Sequence, residues 1–107
     1  MTVVRPPEFS CLASLDHGEA VVAVTGELDM STAPELSRSL AGVLDQHPQR
    51  LTLELGGLEF IDSTGLTLLV RTSKQLKAHE GALHLAHPTP PVRRVLEIVG
   101  LHGLLVA

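Results

Sequence analysis

Residues 50–57, RLTLELGG, and the segments that follow them decide the fold of this chain. Leu51, Leu53 and Leu55 alternate with other residues, which predicts a strand with one buried face. The stretch ALHLA (82–86) predicts a second, shorter strand, and the chain between the two strands has helical periodicity. Strands that alternate with helices predict a largely parallel sheet on which the helices pack.

The helix between these two strands is predicted to begin near Ser63 and to end at Glu80–Gly81. Leu68 lies about 200° around the helix from Leu66, counted at roughly 100° per residue, so it is predicted on the solvent face. An apolar residue on such a face is either incidental or a contact point for a partner. The predicted buried stripe consists of Leu66, Leu69, Val70, Ser73 and Leu76.

Two strands are predicted upstream of this unit. The segment AVVAVTG (20–26) is apolar nearly throughout, as expected of a central strand covered on both faces. FSCLASL (9–15) alternates as a half-buried strand does, and the turn at 16–19 joins the two strands in a hairpin. The buried face of the first strand is predicted to contain Phe9, Cys11, Ala13 and Leu15.

A helix is predicted between this hairpin and residue 50. Thr32 and Glu35 have the spacing of a capping box, and Pro34 lies in the first turn. His47–Pro48 is predicted to end the helix. Its apolar side is predicted to consist of Leu36, Leu40, Val43 and Leu44.

The chain closes with a third helix over 92–99, which Gly100 stops, and with a weak edge strand over 101–107. Val92, Val95, Leu96 and Val99 are predicted to face inward. The fold class is therefore α/β, with a mixed, mostly parallel β-sheet of four or five strands packed by helices. We expect one domain over residues 9–107 and a flexible N-terminal tail over 1–8.

Composition narrows the classes of partner. The chain has 107 residues and a formal net charge of -4, with no Tyr or Trp and no basic cluster, so we expect no nucleic acid partner. Cys11 is the only cysteine, which fits a reducing compartment. The N-terminus has no signal peptide pattern and no apolar segment approaches membrane-spanning length, so we expect a cytoplasmic protein without a membrane partner.

The sequence Asp62-Ser63-Thr64-Gly65 has a structural and a chemical interpretation. In the structural one, Asp62 or Ser63 caps the following helix and Gly65 permits close backbone packing. In the chemical one, the positive end of the helix dipole favours an anion, so a phosphoryl group on Ser63 would be electrostatically stable there. Such a group would add roughly -1.5 to -2 charges to the surface without melting the helix.

Other chemistries have weaker support. DSTGL is not the G-x-S-x-G pattern of a serine nucleophile, and no serine–histidine–aspartate order is signalled. His79, His84 and His87 are irregularly spaced and lack accompanying ligands, which favours solvated histidines over a metal site. Glu27 and Asp29 follow a buried strand at the same kind of strand-to-helix edge as the serine, where loops of α/β sheets face their ligands.

Three segments in order resemble the bacterial anti-sigma factor antagonists, which are stand-alone STAS domains. These segments are VTGELDMSTAPEL (24–36), LEFIDSTGLTLL (58–69) and VRRVLEIVGL (92–101), so the resemblance spans about residues 9 to 107. It implies the STAS fold, no enzymatic activity and no cofactor. The chain departs from the family at Thr67, where glycine is frequent.

The resemblance also implies a mechanism of partner switching. The unphosphorylated antagonist would bind an anti-sigma factor that is also a serine kinase and thereby release a sigma factor. Phosphorylation at Ser63 would dissociate this complex, and a phosphatase would reverse the modification. The protein itself would be a monomer or a weak dimer. The implied partner-binding residues are Glu27, Asp29, Met30, Ser31, Thr32, Asp62, Thr64, Gly65, Thr67, Leu68 and Arg71.

Two alternatives stay open. STAS domains also serve as scaffolds in stress-sensing assemblies or as subunits of lipid-transport complexes, without phosphorylation of the serine. Some relatives bind nucleotides, but this chain has neither a P-loop nor a glycine-rich dinucleotide fingerprint. A hydroxyl residue directly after the aspartate favours the sigma-factor circuit.

Overall fold

The computed structural model describes residues 8–106; the prediction of a flexible tail therefore lies, apart from Glu8, outside the described residues. A four-stranded sheet has the order β1-β2-β3-β4, in which β1 is antiparallel to β2 and the remaining pairs are parallel. This arrangement confirms the predicted α/β fold class. The elements are β1 (Ser10–Asp16), β2 (Glu19–Leu28), α1 (Ala33–Leu44), β3 (Arg50–Ile61), α2 (Ser63–Ala78), β4 (Ala82–Ala86) and α3 (Pro90–Ile98).

The three helices pack on one face of the sheet. Successive rows of paired strand residues, such as Val22, Leu53 and Leu85, are fully buried and share one core with residues of all three helices. Each parallel connection moves to the next strand in the same direction, and right-handed crossovers then place their helices on the same side. The prediction that β2 is covered on both faces is wrong, because its residues alternate and Val21 is 42% exposed.

The first strand is buried only where it begins. Phe9 and Cys11 pack against the core, and the Cys11 thiol lies 4.0 Å from a carboxylate oxygen of Glu35 in α1. The predicted burial of Ala13 and Leu15 is wrong, since both are exposed. The reason is that β1 is the edge strand and α1 covers only its first residues.

The longest strand brings two loops together. β3 extends to Ile61, four residues beyond the predicted end, and it accommodates one extra residue relative to β2 at each of two bulges. The N–H group of Asp62 then donates to the carbonyl of Leu28 at 3.0 Å. The ends of β2 and β3, and the loops after them, therefore lie side by side at one edge of the sheet.

The first helix is capped differently from the prediction. Thr32 is the N-cap of α1, but its side chain makes no capping hydrogen bond, so the predicted capping box with Glu35 is wrong. The hydroxyl of Thr32 instead bonds within the loop before the helix, as described below. α1 ends at Leu44, three residues before His47, and α3 begins two residues earlier than predicted.

The C-terminal segment forms no fifth strand among the described residues. A short 3₁₀-helix spans His102–Leu104, and Leu105 makes a single parallel bridge to Leu85 of β4. In α3, Val92 and Leu96 are buried as predicted, whereas Val99 is half exposed because the helix ends at the preceding residue. Within residues 8–106, no helix is both long and apolar enough to cross a membrane.

Candidate functional site

The loop between β2 and α1 is held by its own side chains. The Asp29 carboxylate accepts hydrogen bonds from the backbone N–H groups of Ser31 (2.9 Å) and Thr32 (3.1 Å), and from the Ser31 hydroxyl (2.7 Å). The Thr32 hydroxyl donates to the carbonyl of Glu27 at 2.8 Å and accepts from the N–H of Asp29 at 3.0 Å. These bonds fix the loop next to the first turn of α2.

The same hydrogen bonds affect ionisation. The Ser31 hydroxyl, together with the N–H groups of Ser31 and Thr32, holds the pKa of the Asp29 carboxyl below its ordinary value, against a smaller opposing effect of burial. Hydrogen bonds donated to a carboxylate favour its charged form. Asp29 therefore stabilises the loop as an anion through one carboxylate oxygen, Oδ1, which accepts all three of these hydrogen bonds. Its role in partner binding stays a prediction.

The first turn of α2 is fixed by Asp62 and Gly65. Asp62 is the N-cap, and its carboxylate accepts a hydrogen bond from the N–H of Gly65 at 3.0 Å. Gly65 is buried, and a Cβ atom at this position would lie 2.8 Å from side-chain carbons of both Leu28 and Ile61. These two residues position the helix against the sheet, and partner binding by Gly65 stays a prediction.

Ser63 is the first residue of α2 and is exposed. Its carbonyl accepts a hydrogen bond from the Thr67 hydroxyl at 2.9 Å, one turn later. The N–H groups of a helix's first turn have no acceptor within the helix, and the Asp62 carboxylate engages that of Gly65. The Ser63 hydroxyl therefore lies beside N–H groups that can stabilise an anion, at the positive end of the helix dipole.

A shallow groove of about 450 Å³ lies between the N-terminal parts of α1 and α2, beside this serine. It brings together six of the predicted site residues, from the β2–α1 loop and from α2. Its lining consists of Met30, Ala33, Pro34, Ser37, Ser63, Thr64, Thr67, Leu68 and Arg71. Glu27, Asp29, Ser31, Thr32, Asp62 and Gly65 surround this groove or support it from behind.

The prediction for Leu68 is wrong. Its side chain is only 8% exposed and belongs to the core, where it forms part of the groove's floor. Counted at about 100° per residue, the buried arc of α2 spans roughly 140°, from Leu68 to Ser73, and is rotated towards α1 from the predicted stripe. Leu66 and Val70 are only half-buried in consequence. The helix packs on α1 as well as on the sheet, and Leu68 fills that second contact.

Three groove residues escaped sequence reasoning. Ala33, Pro34 and Ser37 lie on the first turns of α1, and their i, i+1, i+4 spacing places them on the side that faces α2. Helical spacing could have grouped them, but nothing in the sequence states which helix is the neighbour. Met30 was predicted, and it is 74% exposed at the edge of the same groove.

The histidines lie apart from this site. His87 pairs with Glu54 on the sheet face opposite the helices, with Nδ1 2.7 Å from a carboxylate oxygen. His47 and His79 pack with tilted rings whose centroids are 4.8 Å apart, at the opposite ends of α1 and α2 from the groove. Across residues 8–106, no cluster of three or more histidine, cysteine or acidic side chains is arranged to hold a metal ion.

The family is shown by comparison with known proteins. The family model described as "Mlab, STAS domain" matches residues 11–107, and the chain belongs to the STAS domain family. An anti-sigma-B factor antagonist from Staphylococcus aureus is 34% identical over 84 residues, which are 78% of each chain. The sequence-based identification of the family is thus confirmed.

Solved structures agree with this assignment. The crystal structure of an anti-sigma factor antagonist from Mycobacterium paratuberculosis has a TM-score of 0.83 at 31% identity, covering 96% of this chain and 87% of that chain. The unphosphorylated form of the anti-sigma factor antagonist SpoIIAA has a TM-score of 0.80 at 24% identity, covering 92% of this chain and 86% of that one. SpoIIAA has also been solved in a phosphorylated form, with a TM-score of 0.73 at 23% identity. The SpoIIAA structures establish the likeness of the fold alone.

Proposed function

We propose that this protein is an anti-sigma factor antagonist that is switched off by phosphorylation of Ser63. The observation that carries the proposal is the exposed Ser63 hydroxyl in the first turn of α2, on the edge of the groove between α1 and α2. In the unphosphorylated state the groove would bind an anti-sigma factor with serine kinase activity and so release a sigma factor. The names of the relatives support this role.

The geometry supports a modification that leaves the fold intact. Ser63 makes no contribution to the core, and the capping bond is formed by Asp62 instead. A phosphoryl group would meet unpaired first-turn N–H groups and the positive end of the helix dipole, both of which favour an anion. The antagonist would therefore stay folded after modification and would be available to a phosphatase.

The switch would act in the interface. Apart from Arg71, the groove is lined by neutral side chains, and phosphorylation would add about -1.5 to -2 charges at its edge. Leaving a charge desolvated without a matched partner costs several kcal/mol, and each ~1.4 kcal/mol lowers affinity tenfold. A modest mismatch would thus dissociate the complex. The protein acts by binding in this scheme and catalyses no reaction itself.

The test combines kinase reactions with mapping of the modified peptide. The protein is incubated with ATP, Mg²⁺ and each anti-sigma kinase of the same genome, and modified peptides are located by mass spectrometry. We expect phosphate on Ser63, none in Ser63→Ala, and loss of kinase binding in Ser63→Asp. Thr64→Ala is the matched control, because it removes the neighbouring hydroxyl of the same groove and should leave Ser63 modifiable. Kinase binding without phosphate, or no binding, would favour an unmodified scaffold or a subunit of a lipid-transport complex.

A further inference from the structure

The solvent-facing side of α2 has a charge pattern unlike the rest of the chain. Arg71, Lys74 and Lys77 are exposed, and this helix of 16 residues contains no acidic residue. The chain as a whole has 12 acidic and 8 basic side chains. These three residues, termed here the basic stripe, therefore concentrate positive charge on one surface of a protein with a net negative charge.

The basic stripe is not neutralised within the described part of the chain. Arg50 pairs with Glu19 and Arg93 pairs with Glu97, whereas no carboxylate oxygen within residues 8–106 comes within 4.0 Å of a charged nitrogen of the stripe. Exposed cations with no acidic neighbour mutually repel and attract an external anionic surface. Charge on this helix is thus available to a partner.

The stripe is continuous with the groove beside Ser63. Arg71 lines the groove, and it also lines, with Lys74, a shallow depression farther along the same helix. At a rise of about 1.5 Å per residue, Arg71 lies about 12 Å and Lys77 about 21 Å from Ser63 along the helix axis. A partner seated on the groove and of ordinary interface size would reach along this face.

We propose that the basic stripe is the second half of the partner interface and binds an acidic segment of the anti-sigma factor. This inference rests on the proposed function, since it assigns the chemistry of that same partner. The surface fits a protein partner better than an anionic membrane, because none of the exposed large hydrophobic residues lies in α2, where it could insert into lipid, and the chain has a net charge of -4.

Most of the basic stripe lies far from Ser63. The Debye length is about 8 Å at physiological salt, so a phosphoryl group on Ser63 is largely screened from Lys74 and Lys77. The stripe should consequently raise the association rate of both forms of the antagonist, through electrostatic steering. It should leave unchanged the ratio between the affinities of the unphosphorylated and phosphorylated forms.

The experiment measures binding kinetics with the anti-sigma kinase that modifies Ser63. Reversing two charges in Lys74→Glu/Lys77→Glu should lower the association rate about 10-fold or more at 50 mM salt, an effect that shrinks to within about threefold at 500 mM salt. The ratio of affinities between the double variant and the same variant carrying Ser63→Asp should equal the wild-type ratio. Circular dichroism verifies that the variant is folded.

The matched control is Arg93→Glu/Arg94→Glu, which makes the same change in charge on the exposed side of α3. It should alter the association rate less than threefold at either salt concentration. Equal rates for the stripe variant and wild type would overturn this inference and leave the proposed function intact. Failure of the wild-type chain to bind any anti-sigma factor would overturn both. If the wild-type protein co-sediments with phosphatidylglycerol vesicles and the stripe variant does not, the stripe binds a membrane and this inference is overturned.

Discussion

The substitution Gly65→Ala should destabilise this protein although alanine is the better helix former. In an open helix interior the change stabilises by up to about 1 kcal/mol. Here the new Cβ atom would lie 2.8 Å from carbons of Leu28 and Ile61, which are 1% and 4% exposed and form the core under α2. Overpacking of this kind costs about 1–3 kcal/mol, so we expect a net loss of about 1–2 kcal/mol.

Gly42→Ala is a control of identical chemistry. Gly42 lies in α1, and a Cβ atom there would meet no atom within 4 Å. We expect this substitution to stabilise the protein by about 0.5–1 kcal/mol. The two glycine-to-alanine variants should therefore differ in the sign of their effect, which no difference in helix propensity can produce.

The assay is urea unfolding followed by far-ultraviolet circular dichroism, since the chain has no Trp or Tyr to report by fluorescence. Thermal midpoints should move by about 4–8 °C per kcal/mol in a domain of this size. If Gly65→Ala stabilises the protein as much as Gly42→Ala does, the side chains of Leu28 and Ile61 yield at no cost. Close packing at Gly65 would then not be what positions Ser63.

Five further substitutions test the site and the corrected orientation of α2. Leu68→Ala should lower the free energy of unfolding by about 2–5 kcal/mol, because Leu68 is a core residue. Leu12 is 73% exposed, so Leu12→Ala should change this free energy by less than about 0.5 kcal/mol. Equal urea midpoints for the two variants would mean that Leu68 is a surface residue, as first predicted. Asp62→Ala removes the cap of α2 and should lower the free energy of unfolding by about 0.5–2 kcal/mol. Asp62→Asn should retain most of the wild-type stability, because asparagine also caps helices. The Asp29 carboxyl has a lower pKa in the folded protein than in the unfolded chain, where it is about 3.9. The ionised carboxylate therefore stabilises the fold fully above this pH. The stabilisation is lost as the pH falls through the lower pKa of the folded state. Urea midpoints of wild type and Asp29→Asn should accordingly converge below pH ~4; a constant difference from pH 7 to pH 3 would contradict the assignment.

Local patterns predicted the parts of the fold that depend on few neighbours. The alternation around Leu53 and the helical period after Ser63 identified β3, α2 and β4, because burial of one side imposes the period of the element whichever neighbours cover that side. The apolar run of β2 was misleading for the opposite reason. Its outer residues, such as Val21, are apolar without being covered, and a run of this kind does not state how many layers a sheet has.

The errors at the site arose where two elements compete for one residue. Thr32 has the spacing of a capping residue, but Asp29 offers its N–H and Glu27 its carbonyl to the same hydroxyl, and these bonds prevail. Leu68 has the helical angle of a surface residue with respect to the sheet, but α1 supplies a second contact surface. Neither outcome can be read from spacing, since both depend on which segments the topology places side by side.

Residues of the first turn of α2 divide between folding and the proposed regulation. Asp62 completes the cap through a hydrogen bond of 3.0 Å from the N–H of Gly65. Gly65 sets the distance to the sheet, since a Cβ atom there would lie 2.8 Å from side-chain carbons of Leu28 and Ile61. Ser63, between Asp62 and Gly65, presents its hydroxyl to solvent at the place where those two residues hold it. A modification of Ser63 therefore changes the surface charge without removing a stabilising contact, whereas a change at either neighbour displaces the serine itself. In the proposed switch, this separation would let a phosphoryl group be added to and removed from a marginally stable domain without unfolding it.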